Sequence, residues 1–93
     1  MENTTASARV RLPNERGLHA RPCHAIVSTA LGHRSRLSVR CGANEADGRS
    51  ILSLMMLGAP HGSELEFRAE GPDAQELVLA LVALVERGFE ELD

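Results

Sequence analysis

Seven consecutive residues, Arg16-Gly17-Leu18-His19-Ala20-Arg21-Pro22, hold the side chains best suited to chemistry in this chain. A glycine precedes a histidine, and an arginine follows two residues later, where an apolar helical stripe begins. The first amides of a helix lack intrahelical acceptors and, together with the helix dipole, make its mouth an anion site. A phosphoryl group on His19 would meet such donors in the backbone of Ala20 and Arg21, and the Arg21 side chain can reach the same anion. Pro22 falls in the first turn, where its missing N–H costs no helical bond. Histidine's ordinary pKa of about 6.5 leaves a neutral ring nitrogen able to attack phosphorus near pH 7. On the residues alone two roles stay open for His19: phosphoryl carriage, or a plain helix cap beside a solvated Arg21.

Ser50 is the second candidate. It precedes Ile51-Leu52-Ser53-Leu54-Met55-Met56-Leu57, and a serine there can cap a short helix. A phosphate on its hydroxyl would meet that helix start and Arg49; the plain alternative is an unmodified cap. Leu54 and Leu57 form an i, i+3 core pair. Ile51, Leu52, Met55 and Met56 cannot all be buried beside them, so part of this group is expected to face solvent as a docking patch. Cys23 and Cys41 form no CxxC pair and are expected to be inward, free thiols. His24, His33 and His61 form no metal-ligand spacing, and no HExxH, phosphate-loop, dinucleotide or GxSxG motif occurs.

The elements that must position these residues are legible from periodicity. Residues 8–12 and 36–41 alternate as strands, with Val10, Leu12, Leu37, Val39 and Cys41 inward. Arg21–Leu31 reads as a helix with a stripe of Cys23, Ile26, Val27, Ala30 and Leu31, and Gly32 stands at its C-cap. Residues 44–46 pair back as a very short strand after the Gly42-Ala43 turn. Residues 63–69 alternate with Leu65, Phe67 and Ala69 inward. After Pro72, Asp73 and Glu76 suggest a capping box, and an amphipathic helix runs over about residues 73–90. The order is βαββαβα. The expected fold is α/β (α+β): an open-faced sandwich with a four-stranded antiparallel sheet and three helices on one side.

Composition narrows the functions further. At 93 residues the chain is one small domain. Residues 1–7 read as a flexible tail and 8–93 as the domain. All ten basic residues are Arg; eight lie in residues 1–50 against four acids, and two in residues 51–93 against nine acids. This basic half suits an acidic partner or a phosphate, but is too sparse for duplex DNA. Phe67 and Phe89 are the only aromatic residues, which disfavours a base-stacking surface. No apolar run is long enough to span a membrane, and no signal peptide is evident, so the expected location is the cytoplasm.

Gly17-Leu18-His19-Ala20-Arg21-Pro22 resembles the active-site motif of the histidine-containing phosphocarrier (HPr) family of the bacterial phosphotransferase system. Arg49-Ser50-Ile51-Leu52-Ser53-Leu54-Met55-Met56-Leu57 resembles that family's regulatory-serine segment, and the His19–Ser50 separation fits without gaps. The resemblance covers roughly residues 8–90. It implies that His19 accepts phosphate from phosphorylated enzyme I and passes it to a histidine of an enzyme IIA-type protein. Arg21 falls on the family's active-site arginine, and Ser50 on the serine modified by an HPr kinase/phosphorylase in some bacteria. Ile51, Leu52 and Met55 fall on its docking residues. The expectation is a monomeric carrier rather than a stand-alone enzyme, with no cofactor, metal, nucleic acid or membrane insertion. Gly42-Ala43 departs from the family's usual Asn-Gly turn, and Cys23 and His24 stand where small or apolar residues are common. Asn14-Glu15-Arg16-Gly17, Met55-Met56 and Phe89-Glu90-Glu91 resemble the nitrogen-related branch. Two other classes stay open: a binding module of this fold without phosphotransfer, and a small enzyme acting on a phosphorylated metabolite.

Overall fold

The computed structural model describes residues 4–90. Its elements are β1 (Thr4–Arg11), α1 (Ala20–Leu31), β2 (Arg36–Cys41), β3 (Asn44–Asp47), α2 (Ile51–Met55), β4 (Glu64–Gly71) and α3 (Ala74–Glu86), followed by a 3-10 turn over Gly88–Glu90. The four strands form one sheet in the order β1-β4-β2-β3, antiparallel throughout. This is the open-faced α/β sandwich expected from the alternating strands.

Alternation decides which face the helices cover. Leu37 and Val39 on β2, Ala46 on β3, and Leu65, Phe67 and Ala69 on β4 are buried. Between them, Arg36, Arg40, Glu64, Arg68 and Glu70 are exposed. Ile26 of α1, Leu54 of α2, and Leu77 and Leu81 of α3 complete an aliphatic core around Phe67. Burying such side chains stabilises by about 1.5–3 kcal/mol each against chain entropy. The five-residue α2 is far too short to stand alone; Leu54, fully buried, is what fixes it to the core.

Four expectations require correction. Strand β1 starts at Thr4, not Ala8, because Thr4–Ser7 pair with Arg68–Gly71 of β4. Residues 4–7 are therefore sheet rather than tail, and Ala6 and Ala8 pack against the core. The remaining tail residues 1–3, and 91–93 at the other end, lie outside the described residues. Helix α3 ends at Glu86 rather than near 90. Gly88 and Phe89 both take positive φ, at 63° and 57°, and this turn brings Phe89 back into the core. Leu31, assigned by periodicity to the buried stripe, is 63% exposed at the end of α1.

The fourth correction is the capping box. Asp73 makes no side-chain cap bond to α3. Its carboxylate instead accepts from the amides of Arg34 and Ser35, at 3.0 and 2.9 Å, and from the Ser35 hydroxyl at 2.5 Å. Ser35 in turn accepts from the Asp73 amide at 3.1 Å. The fully buried Ser35 is thereby satisfied. Gly71 is required beside it: at φ 152° a Cβ there would lie 2.6 Å from the Ser35 hydroxyl oxygen. These hydrogen bonds hold the Asp73 carboxyl below its ordinary pKa, the Ser35 hydroxyl contributing most and the Arg34 amide next.

Candidate functional site

His19 is the N-cap of α1. Its backbone is extended, with φ −95° and ψ −168°, and its side chain makes no cap hydrogen bond. Its carbonyl accepts the first helical bond, from the Cys23 amide at 3.1 Å. Three residues therefore lie between cap and ladder: Ala20, Arg21 and Pro22. Proline has no N–H, so only Ala20 and Arg21 offer first-turn amides at this mouth. Both are exposed, His19 is half-buried, and Pro22 and Cys23 are buried. Burial pushes the Cys23 thiol up to about 11, which makes it a core group rather than a nucleophile.

The approach to His19 is held from two sides. Gly17 takes φ 66°, and a Cβ at that position would run into the Ala59 carbonyl and lie 2.8 Å from Pro60 Cα. Only glycine fits there. The next amide, Leu18 N–H, donates to the same Ala59 carbonyl at 2.9 Å. On the other side, the Asn14 side-chain Nδ2 donates to the Gly17 carbonyl at 2.5 Å, and the Gly17 amide donates to the Asn14 carbonyl at 3.1 Å. Leu18 and Ala59 are buried, so the loop before His19 is pinned to the segment after α2. Sequence reasoning singles out neither Asn14 nor Ala59. The Pro13-Asn14-x-x-Gly17 composition is a turn signal in which asparagine bonds its own loop, whereas nothing local marks Ala59.

Ser50 is the N-cap of α2, also in extended conformation, at φ −121° and ψ 113°. Its hydroxyl accepts from the Ser53 amide at 3.1 Å, and its carbonyl from the Leu54 amide at 3.0 Å. The Ser50 amide donates to Asp47. All these bonds stay within residues 47–54, whereas the His19 loop touches the segment beyond the other end of α2. The expected pairing of Arg49 with a phosphate on Ser50 is not prepared: its guanidinium donates to the His33 carbonyl at 2.8 Å, behind α1. Between the two mouths, α1 and α2 pack against each other. Ile51, Leu52, Met55 and Met56 are all exposed, Leu52 by 70% and Met56 by 77%. Three large apolar side chains on so short a helix, with Met56 at its C-cap, form a patch that a solvated surface does not require. No cluster of three or more potential metal ligands occurs among the described residues, and no helix there is long and apolar enough to cross a membrane.

An antiparallel sheet with one open face, a histidine at a helix mouth and an apolar patch on the adjoining short helix define a phosphocarrier of the HPr type. The family pattern described as the PTS HPr component phosphorylation site matches residues 6–87; the chain belongs to the HPr family of phosphotransferase-system carriers. Within that family it is similar to the phosphocarrier protein NPr of Escherichia coli K12, at 32% identity over 88 residues, covering 94% of this chain and 98% of that protein. It is 37% identical over 82 residues to the phosphocarrier protein HPr of Treponema pallidum, covering 88% and 93% of the two chains. The crystal structure of HPr from Thermoanaerobacter tengcongensis superposes with a TM-score of 0.89 at 34% identity, covering 95% of this chain and 99% of that one. The chain is thus a phosphocarrier of the phosphotransferase system, a family that interacts with enzyme I and IIA-type partners.

Proposed function

We propose that His19 is the phosphoryl acceptor, taking the group from phosphorylated enzyme I and passing it to a histidine of an IIA-type protein. The observation that carries this reading is the mouth of α1, where His19 stands at the cap without a side-chain cap bond and the Ala20 and Arg21 amides precede the helical ladder. A neutral ring nitrogen attacks phosphorus as the N–P bond on enzyme I breaks. The electron pair returns to the enzyme I imidazole, which takes up a proton, while His19 sheds its ring proton. The phosphate then sits among the two amides and the exposed Arg21 guanidinium, whose planar donors suit phosphate oxygens. The exposed patch of Ile51, Leu52 and Met55 serves as the docking surface for both partners. The test is incorporation of labelled phosphate from phosphoenolpyruvate and enzyme I. Label should appear on the wild type, be lost in acid and kept in base, and be absent from His19→Ala. Undiminished labelling of a folded His19→Ala would refute the assignment, and no labelling of the wild type would leave a protein-binding module of the same fold.

Ser50 supports a regulatory reading of the same docking surface. Its hydroxyl stands at the start of α2 immediately before Ile51 and Leu52. Phosphorylation by an HPr kinase/phosphorylase would set about 1.5–2 negative charges beside the patch, and a partner would then have to dock apolar surface against a dianion. Incubating the protein with ATP and that kinase, then locating phosphate by mass spectrometry, tests the site. Modification elsewhere, with none on Ser50, would end this reading.

A further inference from the structure

Asn14 is a buried polar side chain in an otherwise exposed loop: it is 4% exposed, while its neighbours Pro13, Glu15 and Arg16 face solvent. Burying an amide is unfavourable unless it bonds well. Its Nδ2 donates to the Gly17 carbonyl, at 2.5 Å. That same carbonyl accepts the backbone amide of His19, at 3.1 Å. The Asn14 side chain and the His19 backbone thus share one acceptor. That carbonyl shares one planar peptide with the Leu18 N–H, which bonds the Ala59 carbonyl, so the peptide is held at both ends, with Gly17 close against Pro60. Loss of the Asn14 donor would leave this peptide pinned at its Leu18 end alone and able to tilt about that bond, which moves the carbonyl that the His19 amide binds.

We infer that Asn14 is a positioning residue for phosphoryl transfer: its amide fixes the Gly17 carbonyl and, through it, the direction in which the His19 ring enters the mouth of α1. The inference rests on the reading of His19 as acceptor. Transfer between two imidazoles needs the attacking nitrogen, phosphorus and leaving nitrogen in line. A displacement of about 1 Å in such an arrangement costs on the order of a hundredfold in rate. Docking, in the same reading, rests on the exposed patch of α2, so the effect falls on kcat and not on KM.

The test is Asn14→Asp, which keeps the shape, removes the donor and sets a carboxylate against the Gly17 carbonyl. Rapid-quench transfer from phosphorylated enzyme I, over a range of carrier concentrations and well below the variant's thermal midpoint, which the buried carboxylate lowers, should show kcat lowered roughly ten- to hundredfold with KM unchanged within about twofold. A folded Asn14→Asp with wild-type kcat would overturn the inference, as would a rise in KM with kcat intact. Should the variant not fold, the wild type itself decides: phosphorylation of His19 should shift the Asn14 side-chain amide resonances, and resonances that stay in place would equally overturn it. Labelling of His19→Ala in the same assay separates the two readings, since label on that variant removes the acceptor assignment, whereas normal transfer by Asn14→Asp removes only the role of Asn14.

Discussion

Helices α1 and α2 both begin at a residue with extended backbone, yet the two mouths are finished differently. Ser50 caps its own: the hydroxyl accepts from the Ser53 amide, a bond made within the turn itself. His19 leaves its mouth without a side-chain cap bond, and two exposed residues, Ala20 and Arg21, precede the proline. The capped mouth gains one side-chain bond, to the Ser53 amide; at the same position of α1 stands Pro22, which has no amide to cap. The mouth of α1 forgoes that bond, and its first-turn amides are those of Ala20 and Arg21. The supports differ in the same sense. The His19 loop is braced by distant residues on Ala59 and Pro60, while Ser50 is held within its own turn.

The comparison is broken most severely by capping the mouth of α1. His19→Ser should abolish phosphate incorporation altogether while leaving the protein folded, and the new cap should add up to about 1 kcal/mol of stability. Labelling together with urea unfolding checks both halves, and a destabilised His19→Ser would show that the histidine ring does structural work at this mouth.

The next largest effect attacks the brace. Gly17→Ala combines a left-handed backbone with a side chain driven against the Ala59 carbonyl, and should cost about 3 kcal/mol. Urea midpoints measure it, and a loss below about 1 kcal/mol would mean that the loop yields easily and does not fix His19. Removing the cap of α2 is milder. Ser50→Ala should lose about 1 kcal/mol, whereas Ser50→Asp retains a capping oxygen and should stay close to wild type. Titrated against enzyme I at equal ionic strength, Ser50→Asp should nonetheless bind more weakly, and equal affinities would remove the electrostatic account of regulation.

The third helix start yields an effect that acid removes. At α3 the Asp73 carboxylate leaves its own helix and binds the Arg34–Ser35 backbone, which lowers its pKa below 3.8. A depressed carboxyl contributes stability above its unfolded pKa and loses it as pH falls through the folded value. Wild type should therefore lose stability below about pH 4 more steeply than Asp73→Asn. Acid-unfolding curves of the two, followed by circular dichroism, should converge as the carboxyl protonates; parallel curves would show that the bonds to Ser35 and Arg34 carry no linkage.

What the sequence by itself determined is whatever depends on spacing along the chain. Period-two alternation marks β2 and β4 and their inward residues, since successive strand side chains point to opposite faces. Period 3.6 marks α1 and α3, and the run from Gly17 to Pro22 places His19 ahead of a helix. The crowding of Ile51, Leu52, Met55 and Met56 around one buried leucine also foretells an exposed patch, because a five-residue helix has too little circumference to bury them all. What only the tertiary structure decided depends on which distant segments meet. Asp73 and Glu76 have the spacing of a capping box, but the arrival of Arg34 and Ser35, 39 and 38 residues away, offers the carboxylate three donors and wins. Thr4–Ser7 read as a tail until β4 supplies a partner, Arg49 turns to the His33 carbonyl instead of the Ser50 mouth, and the Ala59 carbonyl that catches Leu18 belongs to a segment with no local signal. A hydrogen-bonding group takes the best partner within reach, and for residues far apart in the chain that reach is set by the packing of the core.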